Sequence, residues 1–156
     1  MVKVVVERDH VDLEGVADLG ARLARALRPG DLVLLVGPLG SGKTALVREI
    51  ARALGVTDPV RSPSFTIANV YAGSVTVNHL DLYRLDVIGA EDALALEEYV
   101  GPEMITLIEW PEAGAARLDP AAWLVELDHE TATTRRVVIR AQSADAVARW
   151  GSAEEA

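Results

Sequence analysis

The sequence of 156 residues contains no cysteine, so neither a disulfide scaffold nor a thiolate metal site can form. Basic residues are also scarce. Fifteen Lys and Arg stand against 24 Asp and Glu, which gives a formal net charge of -9. A protein that binds DNA or RNA by itself usually presents a basic face to the phosphates. We therefore expect that any nucleic acid involved in the function is held by a partner.

Long hydrophobic runs are absent as well. The apolar runs span a handful of residues, far fewer than the roughly 20 that a membrane-spanning helix needs. Residues 1–7 lack the basic start and apolar stretch of a signal peptide. We therefore expect a cytoplasmic protein with no membrane contact. Its length predicts a single domain over residues 1–150, followed by a disordered tail at 151–156.

The hydrophobic pattern alternates between helical and extended segments. Apolar residues recur at helical spacing from Leu13, with Asp12 as the predicted N-cap. Continuous apolar runs at 32–36 and 104–108 are typical of strands buried on both faces of a parallel sheet. We also predict strands at 2–6, 67–71, 75–80, 123–127 and 136–140, and helices from 43, at 90–99 and at 143–150. The pattern predicts a three-layer α/β fold, in which helices flank a mixed, mostly parallel sheet with antiparallel additions.

The most specific motif is GPLGSGKT at residues 37–44, which matches the phosphate-binding pattern GxxxxGK[ST]. It lies between a predicted buried strand and a predicted helix. Backbone N–H groups of such a turn surround phosphates, and the helix N-terminus adds its positive end. Lys43 would reach the β- and γ-phosphates, and Thr44 would place its hydroxyl on Mg²⁺. The motif therefore predicts that the protein binds ATP with Mg²⁺.

Sequence motifs that read guanine are incomplete. The segment Asn78-His79-Leu80-Asp81 lacks the lysine of Asn-Lys-x-Asp. No buried strand precedes Asp86-Val87-Ile88-Gly89, although it spells Asp-x-x-Gly. A GTPase is therefore disfavoured. Taken alone, His79 is better explained as a structural histidine than as a catalytic base.

Two acidic residues follow predicted strands and are candidates for the metal site. Asp81 ends the strand at 75–80, and Glu109 ends the strand at 104–108. Both would emerge at the carboxyl edge of the sheet, beside the phosphate-binding loop. One would bind the metal and the other would orient or activate a water, and the sequence leaves their assignment open. The hydroxyl-rich segment 61–66 occupies the place where such proteins carry a loop that senses the γ-phosphate.

Four blocks occur in one order: GPLGSGKT at 37–44, VRSPSFT at 60–66, HLDLYRL at 79–85 and IEWPE at 108–112. In these blocks and their order the chain resembles the TsaE (YjeE) family, which are bacterial ATPases of tRNA threonylcarbamoyladenosine synthesis. The resemblance implies a P-loop NTPase fold. It places Thr44 and Glu109 on Mg²⁺ and makes Lys43, Asp81 and Glu109 the catalytic residues. The nucleotide-binding residues that it implies are Gly40, Ser41, Gly42, Lys43, Thr44, Ala45, Thr66 and Asp81, with Arg135 or Arg136 near the adenine.

The resemblance also implies partners. Members of the family act with TsaB and TsaD, and TsaD transfers the threonylcarbamoyl group to an adenosine of tRNA. ATP hydrolysis by the TsaE member would reset that assembly between turnovers, so tRNA would be reached indirectly. The chain departs from the family at Pro38 and Ser41, where Asp and Ala are usual. The alternatives are a small-molecule kinase, which needs an Arg-rich lid that is not evident after Glu109, and a nucleotide switch that does not hydrolyse ATP.

Overall fold

The computed structural model of the chain describes residues 2–60, 68–82, 98–110 and 121–153. These residues form seven strands and three helices. The strands are β1 (Lys3–Val11), β2 (Leu32–Val36), β3 (Ala68–Ala72), β4 (Thr76–Asp81), β5 (Met104–Glu109), β6 (Trp123–His129) and β7 (Arg135–Ala141), and the helices are α1 (Leu13–Ala26), α2 (Lys43–Ala53) and α3 (Ala144–Ala153).

All seven strands belong to one mixed sheet in the order β1-β7-β6-β2-β5-β4-β3. The four neighbours β6, β2, β5 and β4 run parallel to one another. At one edge β3 is antiparallel to β4, and at the other edge β7 and β1 add two antiparallel pairings. This confirms the predicted α/β fold with a mixed sheet. The parallel centre brings the carboxyl ends of β2, β4 and β5 to the same edge.

The two faces of the sheet carry separate apolar clusters, because successive strand residues point to opposite faces. The larger cluster joins Val33, Val77 and Leu107 to the buried sides of all three described helices. The smaller cluster, on the other face, contains Leu32, Leu80 and Ile108. None of the helices in the described ranges is long and apolar enough to cross a membrane.

Most predicted elements are confirmed within one or two residues. Asp12 caps α1 as predicted, because its carboxylate accepts a hydrogen bond of 2.9 Å from the backbone N–H of Gly15. The first strand is longer than predicted, since its polar half from Glu7 pairs with β7. The predicted helix at 90–99 lies almost wholly outside the described residues.

The predicted disordered tail at 151–156 needs a correction at its start, because α3 continues to Ala153. Ala153 is buried, and its carbonyl accepts a hydrogen bond of 3.1 Å from Arg25 Nε. Arg22 likewise donates to the carbonyl of Trp150 at 3.2 Å. These arginines of α1 therefore bind the C-terminal carbonyls of α3 and extend that helix beyond the end that its apolar spacing predicts.

A nearly buried ion pair fastens α3 to the start of β2. Arg149 Nη1 donates to Asp31 Oδ2 at 2.7 Å and to the carbonyl of Ala26 at 2.6 Å. Trp123 Nε1 donates to the same carboxylate at 3.3 Å. Burial lowers the pKa of Arg149, but the hydrogen bonds and charges of Asp31 and Asp145 outweigh this effect and raise that pKa overall. The guanidinium therefore stays charged in the fold and depends on its partners.

We expect Arg149→Ala to lower the free energy of unfolding by about 3 kcal/mol, because it leaves the Asp31 carboxylate buried without its counter-charge. In a chain of this size that loss lowers the melting temperature by roughly 10 °C. Urea denaturation of both proteins measures the difference. The matched control is Arg52→Ala, which removes an exposed pair with Glu49 and should cost less than about 1 kcal/mol. Equal stability losses in the two variants would contradict the structural role of Arg149.

Candidate functional site

The loop at residues 37–42 leaves β2 and enters α2 through three glycines with positive φ. These are Gly37 (155°), Gly40 (76°) and Gly42 (106°). A Cβ on Gly37 would lie 2.2 Å from the carbonyl oxygen of Leu127 in β6, so only glycine fits there. Gly42 is the N-cap of α2 and provides no side-chain cap. The start of α2, where a helix leaves its first backbone N–H groups without partners inside the helix, is the end that favours an anion.

Lys43 is a charged residue with only 4% of its surface exposed. Its Nζ donates to the carbonyl of Gly37 and, at 3.0 Å, to the carbonyl of Pro38. The same nitrogen lies 4.0 Å from the ring centroid of Trp110. Carbonyl dipoles and an aromatic face both stabilise a cation. These contacts hold the ammonium at the loop, and its contact with phosphates stays a prediction.

Trp110 has a backbone conformation that is uncommon for a large side chain, with φ at +57°. It follows Glu109 directly at the end of β5 and turns its ring over Lys43. The sequence did not assign Trp110 to the site, although its position in the IEWPE block was a usable signal.

Thr44 and Glu109 meet directly at the carboxyl edge of the sheet. Thr44 Oγ1 donates to Glu109 Oε1 at 3.2 Å and to Oε2 at 3.0 Å. Glu109 is only 3% exposed. Asp81 is its register partner on the neighbouring parallel strand, so the two predicted acids lie side by side. Both acids border a cavity of about 320 Å³, which is also lined by Leu39, Gly40, Gly42, Lys43, Thr44, Ala45 and Trp110.

His79 is a further member of this cluster, and the sequence favoured a structural role for it over that of a catalytic base. Its Nε2 lies 2.5 Å from Glu109 Oε2, and the residue has no exposed surface. Its other ring nitrogen, Nδ1, is buried and has no hydrogen-bond partner within the described part of the chain. Its spacing indicates only that His79 shares a strand face with Asp81, because residues two apart in a strand point to the same side; the spacing does not reveal the contact with Glu109.

The remaining predicted residues lie around the loop or outside the described ranges. Ser41 is a buried residue of the loop, and Arg135 lies against Gly42, where an added Cβ would be 3.4 Å from Arg135 Nε. Arg136 instead pairs with Glu7 and Asp9 at the sheet edge. Of the two arginines predicted near the adenine, Arg135 is therefore the better candidate. Thr66 and the rest of segment 61–66 lie outside the described residues.

The oxygen donors at this edge fit Mg²⁺ bound together with a nucleotide. No three His, Cys, Asp or Glu of the described ranges are grouped so that they could hold a metal by themselves. Such a group is not required, since Mg²⁺ is usually bound by one or two carboxylates together with substrate phosphates and waters. The Thr44 hydroxyl and the Glu109 carboxylate already converge on one point, beside Asp81. All three are hard oxygen ligands of the kind that Mg²⁺ prefers.

Comparison with known proteins finds similarity to one family. A family model described as "Threonylcarbamoyl adenosine biosynthesis protein TsaE" matches residues 11–137. The tRNA threonylcarbamoyladenosine biosynthesis protein TsaE of Synechocystis is 42% identical over 105 residues, 65% of this chain and 67% of the relative. The TsaE protein of Streptomyces coelicolor is 34% identical over 141 residues, 88% of this chain and 95% of the relative.

A solved structure shares the fold over nearly the whole chain. The crystal structure of Bacillus subtilis YdiB superposes with a TM-score of 0.80 and 24% identity, and covers 99% of this chain and 97% of YdiB. The range matched by the family model includes the phosphate-binding loop, both acids and Arg135. The structural likeness therefore confirms the fold, and the sequence match extends across the site.

Proposed function

The chain belongs to the TsaE family of threonylcarbamoyl adenosine biosynthesis proteins, and we propose that it is an Mg²⁺-dependent ATPase that acts with TsaB and TsaD. The observation that carries the proposal is the contact between Thr44 and Glu109 at the end of the phosphate-binding loop. It joins a metal-binding hydroxyl to a buried carboxylate next to Lys43. A loop that only bound phosphate would not need this pair.

The phosphate-binding loop and Lys43 would bind the β- and γ-phosphates of ATP. The carbonyls of Gly37 and Pro38 hold the Lys43 ammonium beside the loop. A phosphate oxygen is a stronger acceptor for an ammonium than a carbonyl, because the hydrogen bond is then charged on both sides. We infer that Lys43 exchanges carbonyl contacts for phosphate contacts when ATP binds.

Thr44 and Glu109 would hold Mg²⁺, which neutralises charge on the β- and γ-phosphates when it is bound. We assign the attacking water to Asp81. Both acids border the cavity, but Glu109 is almost fully buried and engages Thr44 and His79, whereas Asp81 is half-buried. Asp81 can therefore accept a hydrogen bond from a water in that cavity and orient its oxygen toward the γ-phosphorus. The water oxygen would form a bond to that phosphorus while the bond from phosphorus to the bridging oxygen breaks, and the proton that the water loses would pass to Asp81, so that ADP and phosphate are released.

The base of the nucleotide would lie on the opposite side of the loop from the acids. Arg135 lies there, against Gly42, and is only 9% exposed. Its Nη1 has no hydrogen-bond partner among the described residues. A buried donor without a partner is costly, and a ligand acceptor would relieve that cost. We therefore keep Arg135 as a nucleotide-binding residue, and the role of Thr66 stays a prediction.

The partner proteins would supply the contact with tRNA. The net charge of -9 is unfavourable for direct binding of a polyanion, which supports an indirect role. We therefore propose that the protein works in the cytoplasm as the ATP-consuming member of an assembly with TsaB and TsaD. Its hydrolysis step would return that assembly to a state that can modify the next tRNA.

The proposal is tested by measuring phosphate release from ATP with the purified protein alone and then with TsaB and TsaD. Modified tRNA is scored in the same reactions over many turnovers. We expect slow release alone, faster release with the partners, and repeated tRNA modification only when this protein is present. Release unchanged by the partners, together with sustained modification in its absence, would contradict the proposal. A phosphorylated metabolite formed in cell extract would identify a kinase instead.

A further inference from the structure

We propose that His79 is a positioning residue, which fixes the Glu109 carboxylate in the orientation that binds Mg²⁺. The inference rests on the proposed function, since it concerns the same metal site. His79 has no exposed surface and therefore cannot touch nucleotide, water or partner itself. Any contribution to ATP hydrolysis must pass through Glu109, which lies 2.5 Å from its Nε2.

The strand register explains why this contact forms. β4 and β5 are parallel, and His79 is the register partner of Leu107, two residues before Glu109. The two side chains therefore lie diagonally across neighbouring strands on the same face of the sheet. Thr44 approaches the same carboxylate from α2, with Oγ1 3.0 Å from Oε2. Glu109 is therefore contacted by His79 from the sheet and by Thr44 from α2.

The chemistry of the two groups determines which of them donates the hydrogen bond. An ionised carboxylate only accepts hydrogen bonds, so the proton of the pair belongs to His79 Nε2. The other ring nitrogen, Nδ1, finds no partner in the described ranges. A buried polar atom without a partner costs stability, and an apolar side chain of similar size would avoid that cost. The hydrogen bond to Glu109 is therefore the specific benefit of a histidine at this position.

His79 can keep its contact with Glu109 when Mg²⁺ and ATP are bound. Thr44 and Glu109 contact each other directly in this structure, and both are proposed ligands of one cation. A hydroxyl that binds a cation uses a lone pair of its oxygen and keeps its proton, so both Thr44 and His79 can still donate to the carboxylate. Of these two donors, His79 is the one that is not itself a proposed metal ligand, so its role is to orient Glu109. Residues that orient a metal ligand in this way typically change metal affinity or activity by 10–100-fold when they are replaced.

The test compares His79→Leu, which fills the space without a donor, with His79→Gln, whose amide nitrogen reaches about as far as Nε2. ADP affinity is first measured by calorimetry in EDTA. In a separate measurement without EDTA, Mg²⁺ is titrated into the protein–ADP complex. We expect His79→Leu to raise the half-saturating Mg²⁺ concentration by about tenfold or more, with Mg²⁺-free ADP affinity unchanged. His79→Gln should restore most of the Mg²⁺ affinity. Steady-state hydrolysis in saturating ATP should follow the same order.

Asn78→Leu is the matched control for damage to the fold. Asn78 is the next residue in β4 and is equally buried, but its amide donates to the Tyr99 carbonyl at 2.9 Å on the other face of the sheet. This variant should lose thermal stability without any shift in the Mg²⁺ titration. Equal shifts in Asn78→Leu and His79→Leu would overturn the proposal, because His79 would then act only through folding.

A Glu109→Ala background tests whether His79 affects Mg²⁺ affinity only through Glu109. His79→Leu should add no further loss of Mg²⁺ affinity there, and an additive loss would overturn the proposal. If His79→Leu does not fold, His79→Asn replaces it in the test. The shorter amide of His79→Asn does not reach Glu109, whereas that of His79→Gln does. Equal Mg²⁺ affinities of the Asn and Gln variants would also overturn the proposal. Failure of the proposed function is seen separately, as absence of Mg²⁺-dependent nucleotide binding in the unsubstituted protein.

Discussion

Lys43→Ala is expected to abolish measurable ATP binding by this protein. The substitution would remove the charge-assisted hydrogen bonds that we propose between Lys43 and phosphate, each of which would contribute about 1.5–3 kcal/mol. It also removes the contacts with the carbonyls of Gly37 and Pro38, which hold the loop in shape without nucleotide. Hydrolysis should fall by about 10²–10³-fold or more, the loss seen when a single group that stabilises transition-state charge is deleted. Calorimetry with a slowly hydrolysed ATP analogue measures the binding.

Two further variants separate the charge of Lys43 from its packing. Lys43→Met keeps much of the apolar length under Trp110 but has no ammonium, and it should bind ATP as poorly as the alanine variant. Arg52→Ala removes an exposed cation from the other end of α2 and should bind ATP like the unsubstituted protein. Micromolar ATP affinity in Lys43→Ala would refute the assignment of the phosphate site.

Glu109→Gln and Asp81→Asn are expected to impair hydrolysis for different reasons. In Glu109→Gln an amide nitrogen replaces one of the oxygens to which Thr44 and His79 are bonded, so we expect weaker Mg²⁺ binding together with the loss of turnover. Asp81→Asn should keep both nucleotide and Mg²⁺ affinity while turnover falls by about 10²–10⁴-fold, the range for a lost proton-transfer group. Phosphate release and Mg²⁺ titration on both variants test the pair.

The two variants also decide which acid serves the metal. If Asp81→Asn weakened Mg²⁺ binding and Glu109→Gln did not, the two roles would have to be exchanged. If both variants hydrolysed ATP at the unsubstituted rate in the presence of TsaB and TsaD, neither acid would take part in hydrolysis. Binding of ATP with no hydrolysis in any of these proteins would favour the nucleotide switch.

The phosphate-binding loop could be predicted from the sequence because its determinants are local. A buried strand, three glycines at positive φ and a helix follow one another within about twenty residues, and each leaves a direct mark on the sequence. The positions of Asp81 and Glu109 followed from a general rule on parallel strands, which places their carboxyl ends together. The structure confirms this placement, since the two residues are register partners.

The role of His79 could not be predicted because it depends on the register between two strands. A shift of one residue between β4 and β5 would turn His79 away from Glu109, and a single sequence does not fix that register. The conformation of Trp110 could not be predicted either, since no sequence pattern indicates a positive φ at a tryptophan. β1 was predicted too short because its second half is polar, and Glu7 and Asp9 are stabilised there by ion pairs with Arg136 across the sheet edge.

The placement of the tryptophans gives the protein two separate optical reporters. Trp123 and Trp150 are buried together in the larger apolar cluster, with ring centroids 6.1 Å apart. Trp110 lies over the ammonium of Lys43 at the edge of the cavity. We therefore expect its fluorescence to change if the ammonium moves when a nucleotide binds, and that of the buried pair to change when the core opens. Under the proposed function, ligand occupancy and global unfolding would then be followed in one unlabelled sample.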